Sequence, residues 1–214
     1  MLPPQTWLLL AGICIAAYLI GSVNFAVIVS RIAAKDDIRR HGSGSAGMTN
    51  MLRTYGKGLA AVTFLGDFLK AVGAVILVRL LGVNLPGFEA DAGYLAGIFV
   101  IIGHLFPLYF RFKGGKGVAS SLGVIMMVNP GIFAIVLLCS LPLIFITRII
   151  SLASVSGAIL FIVINCTQVF IYPGNSWYYS ICAVIIGAII LYAHRENIKR
   201  LHNGTENRLG MKKT

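Results

Sequence analysis

The chain has 214 residues, a net charge of +11, 57% hydrophobic residues and only 12% charged ones, with mean hydropathy +0.86. A soluble domain of this size carries roughly a quarter charged residues, so a water-soluble globule is excluded and one membrane domain spanning 1–214 is expected. In a soluble protein such a positive balance would point to nucleic acid; here the charge sits between apolar spans, and no nucleic-acid partner is expected.

A bilayer core needs roughly 20 apolar residues per helix. The first span reads from Trp7 to Ser30. Met1 to Thr6 contain no Lys or Arg, which argues against a cleaved signal and for an outside N-terminus. A polar stretch follows from Arg31 to Lys57, then a second span from about Gly58 to Gly82 and a short acidic loop with Glu89 and Asp91. The third span is Gly93 to Phe110, and Arg111 to Gly117 form a basic turn. Asn129-Pro130-Gly131 then divides an apolar stretch into Val118–Val128, short for a full crossing, and Ile132–Thr147. Ser151–Tyr172 and Trp177–Ala193 complete the set, joined by Pro173-Gly174-Asn175. The fold expected is all-α and polytopic, with about seven spans.

Charge distribution fixes the sidedness. The Arg31–Lys57 stretch holds six Lys/Arg, the basic turn three, Arg148 one and the tail after His194 six, so sixteen of the 18 lie on one face. By the positive-inside rule that face is cytoplasmic, as is the C-terminus. Five spans would give the same sidedness. The four cysteines, Cys14, Cys139, Cys166 and Cys182, all fall in apolar runs without metal-ligand spacing and read as packing residues.

Three polar segments carry chemistry. His41-Gly-Ser-Gly-Ser-Ala-Gly-Met-Thr-Asn-Met-Leu-Arg53 combines glycines, whose backbone N–H groups can converge on an anion, with the hydroxyls of Ser43, Ser45 and Thr49, the amide of Asn50 and the forked donor Arg53. The bland alternative is a flexible surface loop. Gly103-His104 leads to Lys113-Gly-Gly-Lys-Gly117, where Lys113, Gly114, Gly115 and Lys116 pair backbone N–H groups with two ammonium charges ahead of a helix N-terminus. It lacks Walker A spacing and has no Ser/Thr after Lys116; a basic turn that only sets topology is the alternative. In the third segment His194 and Asn197, three apart, share a helix face, and histidine can accept a proton near neutral pH. Here the alternative is a basic amphipathic tail on anionic lipid. Asp67 and Lys70 lie mid-span at i,i+3 spacing, placed either to pair for structure alone or to help wall a site, and Arg79 near the outer end is expected to snorkel. Arg148 and Ser151 put a guanidinium and a hydroxyl at a further cytoplasmic corner.

Together these segments resemble the bacterial integral-membrane acyl-phosphate:glycerol-3-phosphate acyltransferases, the PlsY family. The resemblance rests on Gly42-Ser-Gly-Ser-Ala-Gly-Met-Thr-Asn50 with Arg53, on Gly103-His104 through Phe112-Lys-Gly-Gly-Lys-Gly117, and on His194-Arg-x-Asn197 with Asn203-Gly-Thr-Glu206. The family usually has Asn at the place of Ser45, Ala at Met48 and often Gly at Ala71. The resemblance implies seven helices, an outside N-terminus, the bacterial inner membrane and a cytoplasmic active site. It also implies transfer of a fatty acyl group from acyl phosphate to the 1-hydroxyl of glycerol 3-phosphate, giving lysophosphatidic acid and inorganic phosphate with no cofactor or metal. On that reading Ser43, Thr49, Asn50, Arg53, Lys113 and Lys116 bind phosphates, His194 and Asn197 are the catalytic pair beside the hydroxyl, and His104, Ser151 and Glu206 line or brace the pocket. The amides around Gly114 and Gly115 are expected to hold the oxyanion. The partners are the two substrates and membrane lipid, and a monomer suffices.

No histidine has an Asp five residues on, since those positions are Ala46, Tyr109, Lys199 and Asn207, and no nucleophile elbow is present. Direct transfer without an acyl-enzyme follows. A transporter of a phosphorylated metabolite is the second reading, weakened by spans that offer little polarity beyond Asp67 and Lys70. A membrane assembly protein is the third, and it leaves the three polar segments unexplained.

Overall fold

The computed structural model describes residues 4–81, 84–85, 90–172 and 177–210. Glu89 and the Pro173-Gly174-Asn175 turn lie outside the described residues. Among the described residues the regular structure is helical except for one two-residue antiparallel ladder, β1 (Asn84–Leu85) with β2 (Ala90–Asp91). Among the described residues, five stretches are long and apolar enough to cross a bilayer: Gln5–Ala33, Lys57–Leu80, Gly93–Phe110, Pro130–Thr147 and Ile150–Ile171. Trp177–Ala193 and Arg195–His202 make a sixth as a pair bent by 64°. This is the build of a multi-pass membrane protein.

The chain divides into two units, Met1–Val128 and Asn129–Thr214. The first contains α1 (Pro4–Ser22), α2 (Phe25–Ala33), α3 (Met48–Tyr55), α4 (Lys57–Leu80), α5 (Gly93–Leu105) and α6 (Val118–Val128), with 3-10 turns at Ile38–Arg40 and Leu108–Phe110. The first apolar run is therefore two helices where the hydropathy predicts one unbroken span. The break has a local cause: Asn24 adopts an extended conformation and its side-chain oxygen caps α2 by accepting from the Val27 N–H at 3.1 Å. The Val23 carbonyl released by the break is taken up by the Lys70 ammonium at 2.6 Å. Membrane helices tolerate such breaks only where the freed backbone groups find partners.

α1 and α5 pack backbone against backbone. A Cβ at Gly21 would stand 2.2 Å from the Val100 carbonyl oxygen, and one at Gly103 would stand 2.3 Å from that of Tyr18. Small residues permit this approach where apolar side chains gain little by leaving lipid. α6, eleven residues long, rises only about 16 Å. It packs against α4 and α5, with Ser120, Ser121, Gly123, Val124 and Ile125 buried.

The polar stretch after α2 is more ordered than its glycine and serine content suggests. α3 buries Asn50 and Met51, and Met51 joins Ala26, Val27, Ile38, Ala46 and Ala60 in a small apolar core. Met48 packs against that core too.

The second unit holds α7 (Pro130–Thr147), α8 (Ile150–Ile171), α9 (Trp177–Ala193) and α10 (Arg195–His202). Asn129 caps α7, accepting from the Ile132 N–H at 3.0 Å. Arg148 ends α7 in the left-handed conformation (φ 59°). Its carbonyl accepts the Leu209 N–H at 2.7 Å, pinning the segment after α10 to the α7–α8 corner.

Candidate active site

The first loop is organised by Asn50, which is 2% exposed. Its side-chain oxygen accepts the Ser43 N–H at 3.1 Å, and its amide nitrogen reaches the carbonyls of His41 (2.9 Å), Ser45 (3.0 Å) and Ile38 (3.2 Å). Gly42 packs so tightly on it that a Cβ there would lie 2.2 Å from that oxygen, and its φ of 56° is left-handed as well. The Asn50 side chain is thus a scaffold for the loop's backbone. Ser43 and Arg53 are exposed, and Thr49 is half-buried in the first turn of α3.

At the loop's approach Asp36 meets His41 Nε2, and the Tyr55 hydroxyl donates to the same carboxylate at 3.4 Å. The Asp37 N–H and the His41 ring hold the Asp36 carboxyl below its ordinary range. Asp37 is held lower still, chiefly by the Arg39 side chain, whose own value rises in return.

The second loop folds back onto the end of α5. The Gly114 N–H donates to the Leu105 carbonyl at 3.1 Å and the Gly115 N–H to the His104 carbonyl at 3.2 Å. These two amides satisfy carbonyls that a helix C-terminus leaves open, so both donate to the end of α5. The glycines are needed for proximity. A Cβ at Gly114 would stand 2.0 Å from the His104 carbonyl oxygen, and one at Gly115 2.3 Å from His104 Nε2 and 2.5 Å from the Ala46 carbonyl oxygen. Lys113 is exposed and Lys116 half-buried.

The two loops are joined. The Ala46 N–H donates to the Gly114 carbonyl at 3.2 Å, and the Asn24 amide donates to the Ala46 carbonyl at 3.2 Å. Arg39 reaches from the first loop to the Phe110 carbonyl at 2.7 Å and the Lys113 carbonyl at 3.4 Å. Neither Asn24 nor Arg39 stands out in the sequence as a site residue. An asparagine inside an otherwise apolar run was the available signal for the first.

Beneath the loops lies a buried polar cluster. Lys70 Nζ donates to Asp67 Oδ1 at 2.8 Å and to His104 Nδ1 at 3.1 Å, and the Phe25 N–H reaches Asp67 Oδ1 at 3.4 Å. The i,i+3 pairing of Asp67 and Lys70 predicted from the spacing is present, and His104 joins it as the third member. His104 Nδ1 lies 3.1 Å from the Lys70 ammonium and 3.4 Å from Asp67 Oδ1, between the two charges.

The second unit carries the remaining site residues. His194 is 2% exposed, and its Nδ1 bonds the Ile190 carbonyl at 2.8 Å. Only a protonated Nδ1 can donate to a carbonyl, so in the neutral ring the lone pair is on Nε2. His194 caps α10, so Asn197 follows one turn later on the same helix. Asn197 Nδ2 sits 3.2 Å from both oxygens of Glu206, and Arg200 Nε donates to Glu206 at 2.9 Å. Glu206 thus braces Asn197 while Arg200 balances its charge. The Ser151 hydroxyl, in the first turn of α8, is buried and has no hydrogen-bond partner among the described residues. Such a group carries a desolvation cost that a ligand atom would relieve. α10 packs against α8.

Arg79, near the end of α4, pairs with Asp91.

A family model described as glycerol-3-phosphate acyltransferase matches residues 11–204. The chain is 44% identical over 205 residues to a glycerol-3-phosphate acyltransferase of Clostridioides difficile (strain 630), covering 94% of this chain and 96% of that one. It is 40% identical over 207 residues to one of Bordetella pertussis, with 95% and 93% covered. Two solved structures are similar, both of PlsY (YgiH), an integral membrane glycerol 3-phosphate acyltransferase. The glycerol 3-phosphate form superposes with a TM-score of 0.82 at 35% identity, covering 94% of this chain and 96% of that one. For the lysophosphatidic acid form the TM-score is 0.80 at 33% identity, with 94% and 95% covered. The chain belongs to the glycerol-3-phosphate acyltransferase family.

Proposed function

We propose that this protein transfers a fatty acyl group from acyl phosphate to the 1-hydroxyl of glycerol 3-phosphate, releasing inorganic phosphate and forming lysophosphatidic acid. The observation that carries the reading is the joining of two basic, glycine-rich loops through Ala46–Gly114 and Arg39, in a chain similar along its length to PlsY in its glycerol 3-phosphate and lysophosphatidic acid forms. Both substrates carry phosphate, and one is amphiphilic, which suits polar loops at the ends of apolar helices.

In this reading Ser43, Thr49, Arg53, Lys113 and Lys116 grip phosphate, while Asn50, Gly114 and Gly115 shape the loops that present them. The Nε2 lone pair of His194 accepts a hydrogen bond from the attacking hydroxyl, and Asn197, held by Glu206, orients it. A substrate phosphate takes the proton, and Ser151 supplies a hydrogen bond to a substrate oxygen. The leaving phosphate is good enough to need no strong acid.

The chain forms one functional domain in the bacterial inner membrane, with its N-terminus outside and its C-terminus and active site cytoplasmic. Seven crossings are formed by α1 with α2, α4, α5, α6, α7, α8 and α9. The short α6 packs against α4 and α5, and protein around a helix lets it cross without matching the full lipid thickness.

The deciding experiment supplies purified protein in liposomes with acyl phosphate and labelled glycerol 3-phosphate. Labelled lysophosphatidic acid and stoichiometric phosphate are expected. Uptake of a phosphorylated metabolite without product would replace this reading with a transporter.

A further inference from the structure

We infer that Arg39 is a positioning residue of the acyl transfer: its guanidinium locks the first glycine-rich loop to the second and fixes the spacing of the phosphate-gripping side chains on both. The inference rests on the acyl-transfer reading above.

The geometry separates Arg39 from an ordinary surface arginine. Arg31, on the same carboxylate, has a side chain 54% exposed and makes one bond to Asp37 at 3.0 Å. The Arg39 side chain is 18% exposed and uses every arm of its fork. Nε donates to Asp37 Oδ1 at 2.9 Å and Nη2 to Asp37 Oδ2 at 2.7 Å, a two-point contact that fixes the plane of the group. Asp37 is itself anchored, because its Oδ1 caps the 3-10 turn by accepting the Arg39 N–H at 3.1 Å. Nη1 then points to the second loop, at the Phe110 and Lys113 carbonyls.

Those two carbonyls bracket the strained part of that loop. Arg111 (φ 57°) and Phe112 (φ 58°), between them, are both left-handed, a conformation that bulky side chains rarely adopt. Strained backbone persists only when its surroundings over-determine it, and Arg39 holds both ends of this turn. Lys113 and Lys116 leave the turn directly, so their position relative to Thr49 and Arg53 depends on the turn staying closed. A lysine at 39 has no fork. It can reach Asp37 or a loop carbonyl, but cannot hold both in one plane. The Ala46–Gly114 backbone bond survives such a change, so the loops stay attached and lose only their fixed spacing.

The test compares Arg39→Lys and Arg39→Ala with the wild-type chain in liposomes, measuring kinetics, thermal unfolding and amide hydrogen exchange. A misplacement of about 1 Å can cost on the order of 100-fold in rate. The expected result is a kcat lowered about 10- to 100-fold, with apparent KM for each substrate within about threefold, since the phosphate contacts themselves remain. Exchange at residues 110–115 should speed up, the unfolding midpoint should change little, and added guanidinium ion should restore part of the kcat of Arg39→Ala. Wild-type kcat in both variants would overturn the inference. So would unchanged exchange at 110–115, or a kcat loss that only tracks loss of folded protein. Failure of the wild-type chain to form lysophosphatidic acid would instead sink the acyl-transfer reading, and the exchange data would still decide whether Arg39 ties the loops.

Discussion

Lys70 and His104 meet at 3.1 Å between α4 and α5, and the same ammonium holds Asp67 at 2.8 Å and the Val23 carbonyl at 2.6 Å. One buried cation thus connects the helix break before α2, the charged turn of α4 and the histidine beneath the second loop. Both side chains of the ion pair are almost fully buried, at 4% and 1% exposure. Removing one partner leaves the other a buried charge without its counter-ion, held by His104 and one backbone group, at a cost of up to about 3–5 kcal/mol. Lys70→Met and Asp67→Leu should each destabilise strongly, and the double variant should be less damaging than the sum of the two. Thermal unfolding of the four proteins checks this; strict additivity would show that the pair is not coupled.

Two glycines offer a paired comparison. Gly115→Ala drives a methyl group into His104 Nε2 and the Ala46 carbonyl oxygen, at 2.3 and 2.5 Å, and should separate the loops and abolish turnover. At Gly58, in the first turn of α4, an added Cβ meets nothing within 4 Å. Gly58→Ala should be neutral or stabilising by up to about 1 kcal/mol. Activity and melting point, measured side by side, decide; an active Gly115→Ala protein would contradict the close approach.

His194→Ala removes the nitrogen assigned to the hydroxyl. A positioned acid–base group typically contributes about 100- to 10,000-fold, so kcat should fall by at least about 100-fold with the protein still folded. Near wild-type turnover would take His194 out of the mechanism.

Arg53 lies on the exposed side of α3. A hydrogen bond to a charged group is worth about 1.5–3 kcal/mol. Arg53→Ala should therefore raise the apparent KM for one phosphorylated substrate about 10-fold or more, and titrating each substrate separately identifies which. Normal kinetics for both would remove the assignment.

The Asp37 carboxyl titrates far below the ordinary aspartate value of about 4, chiefly because of its bonds to Arg39. With a depressed value in the folded state, the unfolded chain binds the proton first as pH falls. The stabilisation is therefore complete above the ordinary range and disappears only as the pH drops through the depressed value. The difference in unfolding midpoint between wild type and Asp37→Asn should stay flat from pH 8 to about 5.5. A gap that closes within that window would show a different titrating group.

The apolar helices were legible because their signal is composition over many residues: α6 begins and ends at the residues the hydropathy marks, and α7, α8 and α9 agree within two residues of their predicted starts. α3 was hidden because eight residues of mixed polarity, introduced by glycines, give too little periodicity to register. The polar residues of the two glycine-rich loops were legible by type, and their hydrogen-bond partners were not. Asn50, Gly114 and Gly115 look like ligands for an anion in the sequence, yet their polar groups satisfy backbone partners. Those partners are close only after the chain folds, as are Phe110 and Lys113 around Arg39.

The tie between Arg39 and Phe110 spans 71 residues. At about 5–20 residues per second of synthesis, the first loop waits several seconds for its counterpart. Until α4 and α5 have been made, the loop has its own internal ties, those of Asn50 and of Asp37 with Arg39. The joined pair of loops is therefore completed only after α5, and a slow or misdirected α5 would leave a protein that is in the membrane but whose first loop has no counterpart.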